Sequence, residues 1–351
     1  MFNTIQDFVI NLLPSKRKQK PNGWITFNAV CCTHMGETQD IRGRGNVIPS
    51  PDGKITYSCF NCTFKTTYVP GRTLTFKFRK FLSWLGADYS DIKRLIIEAW
   101  RIKELVLPQA DHEIEEEISF EPRELPGGAQ HFFAWVSYYE LANRTFDTNF
   151  VEAVHYSSRR KVNFEKYDFY WTPEEEHDLH NRVIIPFIYK NQIVGYTARS
   201  FVDNIKPKYY SSHPPHFVFN LNNQKPNAKF VVVCEGPFDA ISIDGVSTQT
   251  NNISEPQADL IDSLAREVIV VPDFDRYVND KGAVIWAGEQ LINRALEYGW
   301  SVSFPEWAHS CKDINDAVIK YGKLFTLYSI LRAKESNQLK IKLLTKQFAK
   351  A

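Results

Sequence analysis

Three carboxylates stand at the ends of two apolar segments. Glu235 follows residues 231–234 and is itself followed by a glycine, and Asp273 and Asp275 come after residues 268–271. Uninterrupted β-branched runs of this kind are typical of strands buried on both faces of a parallel sheet. Because ligands of such sheets bind beyond the carboxyl ends of the strands, the acids are expected to converge there. Hard oxygen donors beside a glycine predict a site for Mg²⁺ or Mn²⁺ and for phosphate.

Two more charged residues belong to the same expected site. Asp239 lies in the first turn of a helix predicted over 237–243, where it is placed to orient Glu235. Lys312 precedes a helix predicted over 313–321 and is placed to face the acids and hold phosphate. An ordinary structural alternative stays open for all of these residues, because acids at strand-to-helix turns commonly act as helix N-caps.

Three cysteines and one histidine form two chelating pairs, Cys31-x2-His34 and Cys59-x2-Cys62. Two intervening residues bring both ligand atoms of a pair to one side, which suits tetrahedral Zn²⁺. These four residues are therefore predicted to hold a structural zinc ion. Cys32 is an adjacent thiol whose spacing to the histidine is poorer for chelation. The alternative is a small cysteine-containing core without metal.

Composition narrows the class of protein further. The chain of 351 residues has 43% hydrophobic and 24% charged residues and a formal net charge of +1, so ordinary globular domains are expected. No apolar run approaches the roughly 18 residues of a membrane span. Crowded cysteines favour metal binding in a reducing cytoplasm over disulfides. Basic residues concentrate in segments 71–103 and 330–351, which indicates either contact with nucleic acid or a protein partner or an ordinary solvated surface.

Composition and periodicity divide the chain into six predicted segments. They are an N-terminal extension (1–23), a zinc-binding module (24–70), a basic helical region with an acidic linker (71–128), a basic subdomain (129–228), an α/β subdomain (229–325) and a basic C-terminal helix or tail (326–351). Strands are predicted over 183–189, 192–197, 229–234, 267–271 and 300–304, and helices over 237–243, 255–264, 283–298 and 313–321. This alternation predicts an α/β fold with a parallel sheet behind a small β module.

The motifs resemble those of a known family. Residues 234–240, 273–275 and 312–316 resemble the Toprim domain shared by bacterial-type DNA primases, type IA topoisomerases and some nucleases. The stretches 181–187, 195–199 and 206–210 look like the basic motifs of the primase catalytic core. With a zinc module in front of them, the chain resembles bacterial and bacteriophage DNA primases. Its lack of a helicase segment makes it similar to the stand-alone primases of T-even-like phages.

The resemblance implies roles for individual residues and an activity. Glu235, Asp273 and Asp275 would bind the catalytic metal, and Arg199 and Lys208 would contact nucleotide phosphates and the nascent primer. Arg182 is a further nucleotide-binding candidate, as are Lys312 and Asp239. The implied activity is the synthesis of short RNA primers on single-stranded DNA from ribonucleoside triphosphates during phage replication. The implied protein partners are a hexameric replicative helicase and a single-stranded-DNA-binding protein, with no membrane involved.

The sequence departs from the family pattern after Asp275. Primases usually carry another Asp two residues later, whereas here Arg276 and Tyr277 follow and residues 276–281 look like an inserted loop. Asp280 is the nearest substitute for the missing ligand. The basic tail is predicted to meet the helicase or DNA through its lysines, which are Lys334, Lys340, Lys342, Lys346 and Lys350.

Two rival functions remain. A non-catalytic recombination mediator also joins a zinc knuckle to a Toprim domain and clamps DNA, but it should lack the motifs that contain Arg182, Arg199 and Lys208. A Toprim nuclease usually carries an ATPase and a topoisomerase needs a tyrosine nucleophile on a further domain, and the sequence has no Walker motif.

Overall fold

A computed structural model describes residues 4–72, 74–106, 120–225, 227–264, 266–278, 284–307 and 311–350. The chain forms two compact units, Met1–Glu117 and Ile118–Ala351. Among the described residues, no helix combines the length and the apolar character that crossing a membrane requires.

The first unit is an antiparallel sheet with helices. Its elements are α1 (Thr4–Leu12), β1 (Arg17–Gln19), β2 (Ile25–Phe27), β3 (Gly45–Pro49), β4 (Ile55–Cys59), β5 (Lys65–Tyr68), α2 (Phe76–Trp84) and α3 (Tyr89–Val106). The strands pair in sequence order, from β1 to β5. A short 3₁₀ helix, Cys32–Met35, lies between β2 and β3.

Simple local signals form these elements. The burial of β4 alternates along its length, as expected for a strand with one face against a core. Asp40 organises the loop before β3, because its carboxylate accepts backbone N–H bonds from Ala29, Arg42 and Arg44 at 2.7–2.9 Å. One hydrophobic cluster runs from Ile5 in α1 to Ile102 in α3, so the predicted extension, zinc module and start of the basic region share a core.

The second unit contains two five-stranded sheets. Its first part comprises β6 (Gln130–His131), α4 (Phe132–Leu141), α5 (Thr148–Arg159), β7 (Tyr170–Trp171), β8 (Arg182–Tyr189), β9 (Gln192–Ser200) and β10 (Tyr209–Ser212). The strands form an antiparallel sheet in the order β10-β9-β8-β7-β6. The predicted strands 183–189 and 192–197 are confirmed as the long hairpin β8–β9.

The remaining elements form a mostly parallel sheet, its helices and a separate two-stranded hairpin. They are β11 (Phe230–Cys234), α6 (Pro237–Ile243), β12 (Val246–Ser247), α7 (Glu255–Asp262), β13 (Glu267–Val270), β14 (Arg276–Val278), β15 (Val284–Trp286), α8 (Gly288–Tyr298), β16 (Ser301–Ser303), α9 (Ile314–Tyr321), α10 (Lys323–Arg332), β17 (Lys334–Glu335) and α11 (Gln338–Lys350). The order is β12-β11-β13-β16-β17, in which only the last pairing is antiparallel. The predicted fold class, an α/β body with a parallel sheet behind a small β module, is confirmed.

Two predicted boundaries in this unit need correction. The helix expected from residue 283 begins only at Gly288, because β15 pairs with β14 in an antiparallel hairpin. The segment expected to be an inserted loop after Asp275 therefore begins as a strand. The basic C-terminal segment, for which a helix or a tail is expected, contains helix α11, which packs on this body through Ile341 and Phe348.

Candidate active site and metal centre

A cavity of about 440 Å³ is lined by residues that directly follow β11 and β13. Glu235, Asp239, Asp273 and Asp275 all lie on its wall, so the structure brings the four predicted acids together. The backbone N–H of Asp273 donates to Glu235 Oε1 at 3.4 Å, which connects the two strand ends. Convergence follows from the parallel pairing of β11 with β13, because both strands end at the same edge.

Burial of several carboxylates in one place changes their acidity. Burial, together with the charge of Asp275, raises the pKa of Glu235 to about 7. Burial also raises the pKa of Asp239 and of Asp273 above their usual range, with the surrounding carboxylates adding to the effect. Crowded acids of this kind are stabilised in their charged form by a cation. These acids offer only oxygen donors, the type of ligand that Mg²⁺ and Mn²⁺ prefer.

Two glycines allow the backbone to approach these acids. A Cβ on Gly236 would lie 2.8 Å from Asp239 Oδ2, so a side chain there would displace that carboxylate. A Cβ on Gly288 would lie 2.6 Å from Pro272 Cβ and 2.8 Å from the Asp273 carbonyl oxygen. The start of α8 can therefore pack directly against the segment that carries the second pair of acids.

An aromatic cluster holds the segment between Asp273 and Asp275. The Phe274 ring lies 6.1 Å from Trp286 and 5.5 Å from Phe348 of α11, measured between centroids. Trp286 Nε1 donates to the Asp273 carbonyl at 2.6 Å, and the Phe274 N–H donates to the Lys312 carbonyl at 2.7 Å. The middle residue of the Asp-x-Asp motif is thus an anchor that fixes the direction of the two flanking carboxylates.

Lys312 lies beside the acids, as its place in the sequence predicted. Its Nζ is 3.1 Å from Asp275 Oδ1, and both side chains are more than half exposed, so the ion pair contributes little stability. The hydrogen bond with Asp275 raises the pKa of Lys312. The N-cap of α9 is Asp313, whose side chain accepts the Asp316 N–H at 2.7 Å. Asp313 is therefore the residue that caps α9, and Lys312 lines the cavity.

Basic side chains line the cavity together with these acids. Arg199 and Lys208, which the sequence singled out, both line it. Arg199 Nε donates to the Tyr156 hydroxyl at 3.0 Å, and its guanidinium lies 4.5 Å from the centroid of Tyr209. Burial lowers the pKa of Lys208, and the charges of Arg199 and Arg160 lower it further. Cations packed this closely form a site for an anion such as a phosphate chain.

Arg182, a predicted nucleotide ligand, has a different environment. Its side chain is 1% exposed and donates to three backbone carbonyls, those of His177, Ala198 and Lys208, at 3.1–3.4 Å. These bonds tie β8 to the end of β9 and to the residue before β10. The structure therefore gives Arg182 a supporting role beneath the cavity wall, where it holds the backbone of Lys208.

Sequence reasoning missed two residues of this site. Arg160, just after α5, lines the cavity, and Asn315, in α9, is fully buried behind it. Asn315 donates from its backbone N–H to Asp239 Oδ1 at 2.8 Å and accepts a bond from Arg160 Nη1 at 2.7 Å. No signal in the sequence separates Arg160 from its neighbour Arg159, which is exposed. Only the packing of α5 against α6 and α9 does so.

The first unit contains a second candidate metal centre, made of sulfur. Among the described residues, Cys31, Cys32, Cys59 and Cys62 can each offer an Sγ atom, and these atoms all lie within 4.8 Å of one another. The Cys31–Cys62 and Cys32–Cys59 sulfur distances are 3.3 and 3.6 Å. Four thiolates around Zn²⁺ at about 2.3 Å would lie roughly 3.8 Å apart, so the cluster fits a structural zinc ion.

This grouping changes the ligand set that spacing predicted. Cys32 replaces His34, whose ring instead stacks on Trp84 with centroids 4.9 Å apart and planes at 7°. The physical reason is the 3₁₀ turn, which directs Cys31 and Cys32 into one buried space while His34 lies on the exposed side. Burial raises the pKa of the Cys32 thiol to about 11, so metal binding there has to release protons.

Two other predictions concern residues that the structure describes only in part or not at all. Asp280, the suggested substitute ligand, lies outside the described residues. Lys350 lies in α11, but its side chain is not described. Lys334 is not a free tail residue, since it pairs with Glu267 at 2.8 Å.

Comparison with known proteins gives similarities of fold at low sequence identity. No family model and no curated protein sequence matches the chain. The zinc-binding and RNA polymerase domains of Aquifex aeolicus primase share 16% identity, with 94% of this chain and 83% of that chain covered and a TM-score of 0.41. The E. coli primase catalytic core shares 15% identity, with 57% of this chain and 79% of that chain covered and a TM-score of 0.42. The RNA polymerase domain of Mycobacterium tuberculosis primase shares 16% identity, with 58% of this chain and 77% of that chain covered and a TM-score of 0.36.

Proposed function

We propose that this protein is a DNA primase, which joins ribonucleotides into short RNA primers on a single-stranded DNA template. One observation carries the proposal: a cavity in which carboxylates at the edge of a parallel sheet share the wall with basic residues from an antiparallel sheet. Nucleotidyl transfer needs both kinds of group, oxygens for a divalent metal and fixed cations for the phosphates.

Each residue has a definite task in this proposal. Glu235, Asp273 and Asp275 would hold Mg²⁺ or Mn²⁺, which, when bound, lowers the energy of charge that develops on the reacting phosphate. Arg199 and Lys208 would bind the phosphate oxygens and keep the chain of phosphates in line for attack by a 3′-hydroxyl. The packing of Phe274 and the close approach of Gly288 to the segment before it would keep the carboxylates in place before substrate binds.

The cysteine centre has a different task. We propose that Zn²⁺ bound by the four thiolates stabilises the first unit, which would help recognise the template sequence where synthesis starts. Basic residues before and within α3 would contribute to that contact by binding phosphates without reading sequence.

The partners belong to the same proposal. We propose that ribonucleoside triphosphates and single-stranded DNA are the substrates, and that a hexameric replicative helicase and a single-stranded-DNA-binding protein deliver the template in a phage replication complex. The exposed lysines of α11, Lys340, Lys342 and Lys346, are proposed to meet the helicase or DNA.

A primer-synthesis assay tests the activity. The full chain is incubated with single-stranded DNA of mixed sequence, labelled ribonucleotides and Mg²⁺ or Mn²⁺, with and without helicase. Short labelled RNA products are expected, and Asp273→Ala should lower their rate about a hundredfold to a thousandfold because the metal site is lost. Asp262→Ala, which removes an acid of α7 that does not line the cavity, is the matched control.

Two results would count against the proposal. The absence of product from wild-type protein under all of these conditions would rule out the proposed primase activity. Full activity of Asp273→Ala would leave the activity in place but place its metal site elsewhere.

A further inference from the structure

We propose that Arg160 is a third triphosphate-binding cation of the cavity, held in position by Asn315. The inference rests on the proposed function, because it assigns one more residue to the same substrate. It depends on where α5 ends, on the groups that surround the guanidinium, and on the charges that it faces.

The guanidinium of Arg160 is fixed in position on several sides. It lies 5.2 Å from the ring centroid of Tyr156 and 5.5 Å from that of Phe238, which directly follows the Gly236-Pro237 turn. Stacking between aromatic rings restricts the plane of an arginine, and the hydrogen bond from Nη1 to Asn315 restricts it further. Since arginine carries five N–H donors, this arrangement leaves donors for a ligand in the cavity.

Asn315 is a suitable support because it is fully buried and its polar atoms all have partners. Its amide Nδ2 donates to the Arg160 carbonyl at 2.9 Å and to Ser242 Oγ at 2.6 Å. Its backbone N–H holds Asp239 on the cavity wall. Asn315 thus holds the end of α5, the Arg160 cation and the Asp239 carboxylate relative to one another through its side chain and backbone, although 155 residues separate it from Arg160.

The electrostatic surroundings point to a multiply charged anion. Across the part of the chain that the structure describes, no carboxylate lies within 4.0 Å of the charged nitrogens of Arg160, Arg199 or Lys208. Three cations without direct acidic partners repel one another, and a phosphate chain would compensate them. Asp239 and Asp313, which line the same cavity, are close enough to interact electrostatically with Arg160 without pairing with it.

Binding of inorganic tripolyphosphate tests this assignment without any primer synthesis. Calorimetric titrations in magnesium buffer would compare wild type with Arg160→Ala, Arg160→Lys and Arg159→Ala. Arg159 is the matched control, since it is adjacent, equally charged and exposed. Arg160→Ala should weaken binding about tenfold or more, because charge-assisted hydrogen bonds are lost. Arg160→Lys should recover part of that loss through its charge alone, and Arg159→Ala should bind as wild type does.

A kinetic readout separates binding from a purely structural role. In primer synthesis, Arg160→Lys should raise the KM for ribonucleotides and leave the KM for template unchanged. Equal tripolyphosphate affinity in wild type and Arg160→Ala, together with an unchanged KM for ribonucleotides in Arg160→Lys, would overturn the proposal. If wild type binds tripolyphosphate through Arg160 yet makes no primers, the proposed function fails and this assignment stands.

Discussion

The two candidate metal centres differ in how completely the protein surrounds them. In the sulfur cluster, four thiols face one another within 4.8 Å and supply a full tetrahedral set. In the acidic cluster, the carboxylates open onto a cavity of about 440 Å³, with cations on the same wall. A complete protein ligand set favours a metal that stabilises the fold, whereas an incomplete set leaves positions for substrate.

The surroundings of the two centres agree with this difference. Cys31 Sγ lies 3.1 Å from the Tyr57 hydroxyl, and Tyr57 stacks on Phe81 with centroids 4.1 Å apart, so the sulfur cluster is built into a core. Asp239 is buried as well, and the charges that raise the pKa of Asp273 are those of other acids. A crowded acidic cluster of this kind lowers stability and is typical of a site kept for function.

The largest effect is expected at the sulfur centre. Cys32→Ser should release the metal and unfold the first unit, because structural zinc contributes about 10–16 kcal/mol of apparent binding free energy that is coupled to folding. His34→Ala should keep one zinc ion per chain and lose only its contact with Trp84. Zinc content by mass spectrometry and thermal unfolding with and without chelator would check both variants.

This pair of variants separates the two possible ligand sets. Loss of zinc from His34→Ala, with retention in Cys32→Ser, would restore the Cys31, His34, Cys59 and Cys62 set that spacing predicts. Retention of fold in Cys32→Ser after the metal has gone would show that the core of the first unit does not need it.

Much of the acidic site could be predicted, because its geometry follows from local sequence. A β-branched run that ends in an acid specifies a strand and its carboxyl end, and parallel pairing then brings the ends together. Glu235 and Asp273 were found in this way. Arg160 and Asn315 were not, because their role depends on how α5 packs against two helices far away in sequence.

The sulfur site shows why spacing alone is a weaker guide. A Cys-x2-His pair and a Cys-Cys pair are both compatible with chelation, and the choice depends on whether the backbone turns as a 3₁₀ helix at Cys32. The hairpin β14–β15 was missed for a similar reason. Its residues 284–286 continue smoothly into the amphipathic pattern of α8, and only pairing with Arg276–Val278 shows that they form a strand.

A moderate effect is expected where α11 supports the acidic site. Phe348→Ala removes a ring that contacts Phe274, Trp286 and Phe304 at 5.3–6.1 Å between centroids, so the Asp-x-Asp segment should lose its fixed direction. We expect kcat for primer synthesis to fall about tenfold, with the KM for ribonucleotides nearly unchanged, because metal placement suffers more than phosphate binding. Steady-state kinetics over a range of Mg²⁺ concentrations would measure this.

Another variant of the same helix is the control. Leu343 is 54% exposed, so Leu343→Ala should leave kcat unchanged, and Phe348→Leu should restore most of it by refilling the space. A normal kcat in Phe348→Ala would mean that the position of Phe274 does not depend on α11. The acidic site would then be more rigid than we infer.

The smallest effect is expected at Asp244, an acid of the same unit that does have compensating partners. Lys323 Nζ donates to its Oδ2 at 2.7 Å and the Tyr167 hydroxyl donates to its Oδ1 at 2.8 Å, and Lys166 also pairs with it. Burial alone would raise its pKa, but these hydrogen bonds outweigh burial and lower the pKa of Asp244 to about 2. The pKa values of Asp239 and Asp273, which have no such lysine contact among the described residues, shift in the opposite direction.

Because the pKa of folded Asp244 lies below its ordinary value of 3.8, its stabilising contribution is present above that value and is lost as pH falls towards 2. Asp244→Asn should therefore lower the free energy of unfolding by about 1 kcal/mol or less at pH 7, since the side chain is partly exposed. The difference from wild type should shrink to nearly zero at pH 2, as measured by urea unfolding at several pH values. A difference that stays constant down to pH 2 would assign the effect to hydrogen-bond geometry and not to charge, and it would weaken the contrast between compensated and uncompensated acids.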